Sequence, residues 1–279
     1  MTTIQSALRD ATDQLAAAGV EQARLDARLL LAKALGVTNS WLFNHADGPL
    51  LDQSAFAALI ERRRAREPMS LILGHREFWS LDFTVTRDTL APRPDSETLI
   101  EAVLSELPDR TCPLSLLDLG TGTGCLLLSL LSELPAARGI GVDRDPKALV
   151  VAQGNGERLG FAGRVEFIRS DWWQNIGGRH DVIVSNPPYI PSGEIGRLDP
   201  EVAAFEPLGA LDGGADGLDA YRFLVSGAAD FLAQDGIIAF EVGAGQAADV
   251  AALLTGAGFS VRNIRRDLAG IERCVVAGR

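Results

Sequence analysis

The stretch that most limits what this chain can become is Ser115-Leu116-Leu117-Asp118-Leu119, followed at once by Gly120-Thr121-Gly122-Thr123-Gly124 and then by an apolar run over 125–131. An apolar strand that passes through closely spaced glycines into a helix brings a backbone turn against a ligand, because glycine has no side chain to hold the ligand off. Apolar, strand-like runs follow at 139–143, 165–168, 181–185, 236–242 and 271–277, separated by helix-period segments. That alternation predicts a doubly wound α/β sheet.

The chain before this stretch differs in kind. Residues 1–74 carry Ile4, Leu8, Leu15, Leu25, Leu29 and Leu30 at helical spacing, with turn signals at Gly19, Gly36 and Asp47-Gly48-Pro49, which predicts a small helical bundle. Residues 75–91 hold Glu77-Phe78-Trp79 and Leu81-Asp82-Phe83-Thr84-Val85, alternating and rich in β-formers, and predict a hairpin linker. The α/β domain is expected over 92–279.

Residues 1–75 have eight basic and eight acidic side chains, so the whole formal charge of −11 falls on 76–279. A domain that tracks a phosphate backbone usually presents a basic face, and this balance argues against one. Arg62-Arg63-Arg64 with Arg66 is the exception, a cluster able to touch RNA or an acidic protein face, and it is read here as a solvated helix end. The richest apolar run, 126–134, is interrupted by Ser129, Ser132 and Glu133 and is too short for a membrane span. Arg9, Asp10 and Asp13 interrupt any export signal, so a cytoplasmic protein is expected. Cys112, Cys125 and Cys274 lack paired spacing and His45, His75 and His180 are dispersed, so neither a disulfide framework nor a metal site is expected.

The glycine spacing after the first strand is GxGxG, since Cys125 stands where a dinucleotide fingerprint needs glycine. The second strand ends at Asp143, which could accept from both ribose hydroxyls of a nucleoside cofactor or could cap the helix starting near Pro146, for which Asp145 is better placed. After the third strand, Asp171 could accept from an adenine amino group and Trp172 could wall the ring, against the plainer reading of a solvated turn residue and a core aromatic. The fourth strand ends in Asn186-Pro187-Pro188-Tyr189. Two prolines fix the turn and leave carbonyl acceptors without competing N–H groups, beside the Asn186 side-chain carbonyl. Such acceptors suit a planar NH₂ group, whose delocalised lone pair makes it a poor nucleophile unless it is oriented and its developing positive charge is stabilised.

These residues resemble the class I S-adenosylmethionine-dependent methyltransferases, and among them the release-factor glutamine N5-methyltransferases, the PrmC/HemK family. Further similar segments are Arg76-Glu77-Phe78-Trp79, Pro92-Arg93-Pro94-Asp95-Ser96-Glu97, Glu206-Pro207, Gly213-Gly214-Ala215-Asp216-Gly217-Leu218 and Asp267-Leu268-Ala269-Gly270-Ile271-Glu272-Arg273. The resemblance implies a Rossmann-like methyltransferase domain, a small N-terminal helical domain for substrate recognition and a β-hairpin joining them. It implies S-adenosyl-L-methionine as methyl donor, and as substrate the glutamine of the Gly-Gly-Gln loop in class I peptide chain release factors. Gly120, Thr121, Gly122, Thr123 and Gly124 would embrace the methionine part of the donor, Asp143 its ribose, and Asp171 with Trp172 its adenine. Asn186, also beside the donor, would hold the substrate amide with Pro187, in a pocket shaped by Pro188 and Tyr189. No metal is implied, and the chain is expected to act as a monomer.

Two departures from the family pattern are Ser96, where threonine is more usual, and Gln153-Gly154-Asn155-Gly156 in place of an alanine-rich helix start. Each glycine costs about 1 kcal/mol relative to alanine in a helix, which predicts a frayed or broken helix there. Asn-Pro-Pro-Tyr is shared with enzymes that methylate adenine N6 or guanine N2 in nucleic acids, which is the enzymatic alternative that the charge opposes. A non-catalytic adaptor on the same fold is the other alternative, opposed by the intact glycine loop and Asn186.

Overall fold

A computed structural model describes residues 2–279. In chain order the elements are α1 (Ile4–Ala17), α2 (Ala23–Leu35), α3 (Asn39–Asn44), α4 (Ser54–Arg64), α5 (Met69–Leu73), β1 (His75–Phe78), β2 (Leu81–Thr84), α6 (Glu97–Glu106), β3 (Ser115–Leu119), α7 (Cys125–Glu133), β4 (Arg138–Asp143), α8 (Pro146–Arg158), β5 (Val165–Arg169), β6 (His180–Ser185), α9 (Pro200–Ala203), α10 (Asp219–Phe231), β7 (Leu232–Glu241), α11 (Ala247–Gly256), β8 (Ser260–Arg266) and β9 (Glu272–Gly278). They fall into two compact units: the chain up to Gly74 together with Asp199–Phe205, and His75–Leu198 together with Glu206–Arg279. Among the described residues no helix is long and apolar enough to cross a membrane.

The helical unit packs Ile4, Leu15, Leu30, Leu31, Leu42, Phe56 and Ile60 into one core. Its first helix starts at a reciprocal capping box between Thr3 and Ser6. The basic cluster departs from the solvated helix end that the sequence suggests. Arg63 is only 8% exposed; its Nε donates to Asp26 Oδ2 at 2.8 Å and its Nη1 to Glu201 Oε1 at 3.1 Å. Arg66 donates to both oxygens of Glu201, at 2.6 and 2.7 Å, and Arg62 to both of Glu67, at 2.8 Å each. The acceptor Glu201 arrives with α9, more than 130 positions along the chain, and so was invisible to local reading.

The larger unit is built on a seven-stranded sheet in the order β5-β4-β3-β6-β7-β9-β8, accompanied by the β1–β2 hairpin. Strands β3 to β7 run parallel, and β9 is antiparallel to both β7 and β8. The central strands bury alternate residues on opposite faces: Leu116, Val182, Val184 and Ile237 join one core with α6 and α7, while Leu117, Ile183, Ile238 and Phe240 join the other with α10 and α11. Burial on both sides explains why these strands read as unbroken apolar runs. Strand β8, which the sequence did not reveal, is an edge with mostly exposed side chains and only Val261 and Ile264 as apolar markers.

The break expected at Gly154 and Gly156 does not occur, and α8 runs unbroken to Arg158. A Cβ on Gly156 would lie 3.2 Å from both Phe167 Cε2 and Val165 Cγ1, so the glycine lets α8 lie close to β5, and packing offsets propensity. Asp145 caps the helix by accepting from the Lys147 N–H, with Pro146 in the first turn.

Candidate active site

The sheet order reverses between β3 and β6, and the carboxyl ends of these strands open into the crevice where doubly wound sheets bind ligands. The glycine turn there has φ of +75° at Gly120, +54° at Gly122 and +81° at Gly124, left-handed angles that other residues adopt only at a cost. The Gly120 and Thr121 N–H groups donate to Val142 O at 2.9 and 2.8 Å, tying the turn to β4. Gly122 N–H donates to Asp143 Oδ2 and Asp145 N–H to Asp143 Oδ1, both at 3.0 Å. Asp145 is therefore the helix cap, while Asp143 is clamped at the mouth of the crevice with acceptor capacity to spare. Burial raises the Asp143 pKa, against the two backbone donors that lower it. Beneath the turn, Thr121 Oγ1 donates to Asp118 Oδ2 at 2.6 Å. Burial pushes the Asp118 carboxyl up to about 7.

The crevice encloses a cavity of about 630 Å³, within the range usual for small-ligand sites. It brings together Gly120, Thr121, Gly122, Thr123, Asp143, Asp171, Trp172, Asn186 and Pro188 from four separate strand ends. Trp172 has a left-handed backbone, φ +51°, rare for so large a residue, and its ring lies along Gly120, where a Cβ would sit 3.4 Å from Cζ3. The indole of Trp172, the Asp171 carboxyl and the clamped Asp143 carboxylate are groups of the kind that would hold the adenine and ribose of S-adenosylmethionine, and the glycine turn leaves room for its methionine arm.

Three residues expected at the site are not on the cavity wall: Gly124, Pro187 and Tyr189. Gly124 begins α7 and faces Leu128 and Phe167. Pro187 is buried. Tyr189 packs against the second core, with its hydroxyl pushed up to about 12 by burial and the nearby Glu241 charge. The Tyr189 backbone is nevertheless pinned: Gln246 Nε2 donates to its carbonyl at 2.9 Å, and Ile190 exchanges backbone bonds of 2.9 Å with Leu211 and Gly213. A Cβ on Gly213 would lie 2.8 Å from Tyr189 Cα, so only glycine permits this approach.

The sequence reading did not place three further groups at the site. Arg93, on the cavity wall, reaches both Glu206 oxygens at 2.6 and 2.7 Å and closes one side of the crevice. Ser96 lines the cavity. Glu241, at the end of β7, is 3% exposed, with Ser96, Arg273 and Asn186 favouring its ionised form against burial. Arg93, Ser96 and Glu206 lay in segments that carried the resemblance, whereas Glu241 ends an apolar strand with no local signal of its own.

A glycine-turned crevice at the switch point, an acid ending the next strand and an antiparallel strand inserted at the sheet's end define a class I methyltransferase, which takes its methyl group from S-adenosylmethionine. Two protein families match the chain, the PrmC N-terminal domain over residues 6–74 and the methyltransferase small domain over residues 95–197. Release factor glutamine methyltransferase of Rhodospirillum rubrum is 49% identical, covering 95% of this chain and 82% of that protein. The protein of the same name from Cereibacter sphaeroides is 47% identical, over 97% and 96%. Among solved structures, the hMettl16 catalytic domain in complex with MAT2A 3'UTR hairpin 6 superposes with a TM-score of 0.59 at 14% identity, over 79% of this chain and 81% of that one. A ribosomal protein L11 methylase from Lactobacillus delbrueckii subsp. bulgaricus gives 0.52 at 16% identity, over 68% and 81%, and at such identities the likeness is one of fold. The chain belongs to the release factor glutamine methyltransferase family.

Proposed function

We propose that this chain transfers a methyl group to the side-chain amide nitrogen (N5) of the glutamine in the Gly-Gly-Gln loop of class I peptide chain release factors. The observation that carries this reading is the placement of Asn186 on the wall of the cavity shared by the glycine turn and Asp143. When bound, S-adenosylmethionine supplies an electrophilic methyl group on a sulfonium.

The chain's own residues do the rest. Asp143 accepts from the ribose hydroxyls; Asp171 and Trp172 take the adenine edge and face. Asn186 Oδ1 accepts from the substrate NH₂, aligns its nitrogen with the methyl carbon and stabilises the positive charge that develops on it. Pro188 shapes the wall beside Asn186. The amide nitrogen grows acidic as it is alkylated, so water suffices to remove its proton. The helical unit binds the body of the release factor. The enzyme acts as a monomer, in the cytoplasm where release factors work. The excess of acidic residues in 76–279 disfavours a nucleic acid as substrate.

The deciding experiment follows a labelled methyl group from S-adenosylmethionine to purified unmethylated release factor, with the modified peptide mapped by mass spectrometry and nucleic acids assayed in parallel. Label on the Gly-Gly-Gln glutamine is expected. Label on nucleic acid would overturn the substrate, and donor binding without any transfer would favour the adaptor.

A further inference from the structure

A side-chain amide that must accept a hydrogen bond has an orientation problem. Its oxygen and NH₂ ends have nearly the same shape, and a half-turn would present a donor to the donor it is meant to hold. Nothing in Asn186 itself selects between the two. Ser185 pairs with Phe240 across the parallel β6–β7 ladder, so Asn186 and Glu241 leave the sheet side by side. The Glu241 backbone is fixed: Tyr221 Oη donates to its carbonyl at 2.8 Å, it pairs with Cys274 on β9, and the next N–H, of Val242, donates to Arg273 O at 2.9 Å.

The carboxyl group itself is buried. Ser96 and Asn186 as hydrogen-bonding side chains and Arg273 by its charge favour its ionised form, Asp95 opposes it, and Tyr189, Tyr221, Cys125 and Cys274 are held up by its charge. Oε2 is buried without a hydrogen-bond partner. Burying a carboxyl group this way is costly, and its pKa is accordingly pushed up to about 7. Glu241 is absent from the cavity wall, so it touches neither donor nor substrate.

We propose that Glu241 is a positioning residue: its carboxylate accepts from the Asn186 side-chain NH₂ and thereby turns Asn186 Oδ1 to the cavity, ready for the substrate amide. This rests on the role given above to Asn186. An ionised carboxylate can only accept, so it enforces one orientation, whereas a glutamine in its place could pair with either end of Asn186.

The test is a double-mutant cycle on turnover with Glu241→Gln, Asn186→Ala and both together, each checked for donor Kd by calorimetry and for melting temperature. Glu241→Gln should lose about ten- to a hundred-fold in kcat, the scale expected of a misplaced orienting group, while binding S-adenosylmethionine as before and melting no earlier. Because Glu241 acts only through Asn186, the double variant should be no slower than Asn186→Ala alone. A full-speed Glu241→Gln, or an equal further loss on the Asn186→Ala background, overturns the inference while leaving Asn186's role intact. Wild-type turnover in Asn186→Ala itself would remove that role and the inference with it. In the unsubstituted protein the Asn186 side-chain amide signal, identified by its loss in Asn186→Ala, should exchange slowly with solvent and shift as Glu241 titrates near pH 7. A signal that exchanges freely and ignores pH in that range also overturns the inference.

Discussion

Asp143 and Asn186 both line the cavity, yet their surroundings predict separable defects. Asp143 is held by two main-chain donors and keeps acceptors for a ligand. Asp143→Ala should therefore weaken the donor Kd by about ten- to a hundred-fold, the worth of one or two hydrogen bonds to a charged group, as read by calorimetry. Asn186→Ala should bind donor almost normally and lose about 10² to 10³ in kcat, the cost of removing one transition-state acceptor of this kind; single-turnover kinetics would separate the two. Glu241 adds a pH signature. Its carboxyl rises from an ordinary value of 4.5 to about 7 on folding, so between these limits the folded chain holds a proton that the unfolded chain has lost. Its contribution to stability is thus most favourable below about pH 4.5 and declines as pH rises towards 7. Glutamine mimics the protonated form. The gain in melting temperature of Glu241→Gln over the natural chain should be larger at pH 8 than at pH 5, and scanning calorimetry at both values checks this.

At the scale of elements, Asn155 is the link between the hairpin and the glycine turn. It is fully buried on α8, where its Oδ1 accepts from Thr84 N–H at 2.8 Å and its Nδ2 donates to Thr84 O at 3.2 Å and to Thr123 O at 2.9 Å. Asn155→Ala would strand the buried Thr123 carbonyl and should cost about 1–3 kcal/mol, the usual penalty for one such group. Urea unfolding would measure it, and donor affinity should fall with it because the Thr123 carbonyl loses its anchor. Asn155 also shows why local reading fails where it does. Seen in sequence it lay between two glycines and suggested a weak helix; in the fold, close packing against β5 and three side-chain hydrogen bonds, the one to Thr123 buried, overrule that propensity. The strands β3, β4 and β6 were legible because burial on both faces leaves an unbroken apolar run. Edge strand β8 was not, since its exposed faces leave little pattern. Asp143, Asp171, Trp172 and Asn186 share the cavity because each lies at or just past the carboxyl end of a strand, and parallel strands bring these ends together. Glu201 and Glu241 were not legible, because each acquires meaning only from partners far along the chain.

For the whole molecule, the two units differ in charge as well as in fold. Residues 1–74 are balanced and Asp199 and Glu201 bring the helical unit to −2, leaving −9 on the larger unit. Within the helical unit the arginines that could have offered a basic surface are largely consumed, with Arg63 and Arg66 on Glu201 and Arg62 on Glu67. Exposed apolar side chains such as Phe43 and Leu51, both largely open to solvent, remain for a protein partner. Binding energy gained there does no chemistry by itself. It accelerates transfer only if it is spent on holding a flexible glutamine in line with the methyl donor, and this requires the glutamine and the remote surface to belong to one substrate. A short Gly-Gly-Gln peptide lacks that second surface and should show a lower kcat/KM than intact release factor, with part of the loss in kcat itself. Adding the rest of the release factor as a separate chain should not restore it, because the link between the two surfaces carries the effect. Steady-state kinetics on peptide, intact protein and the unlinked pair would measure this. Equal kcat/KM for peptide and protein would mean that the cavity alone selects its substrate and that the helical unit serves another purpose.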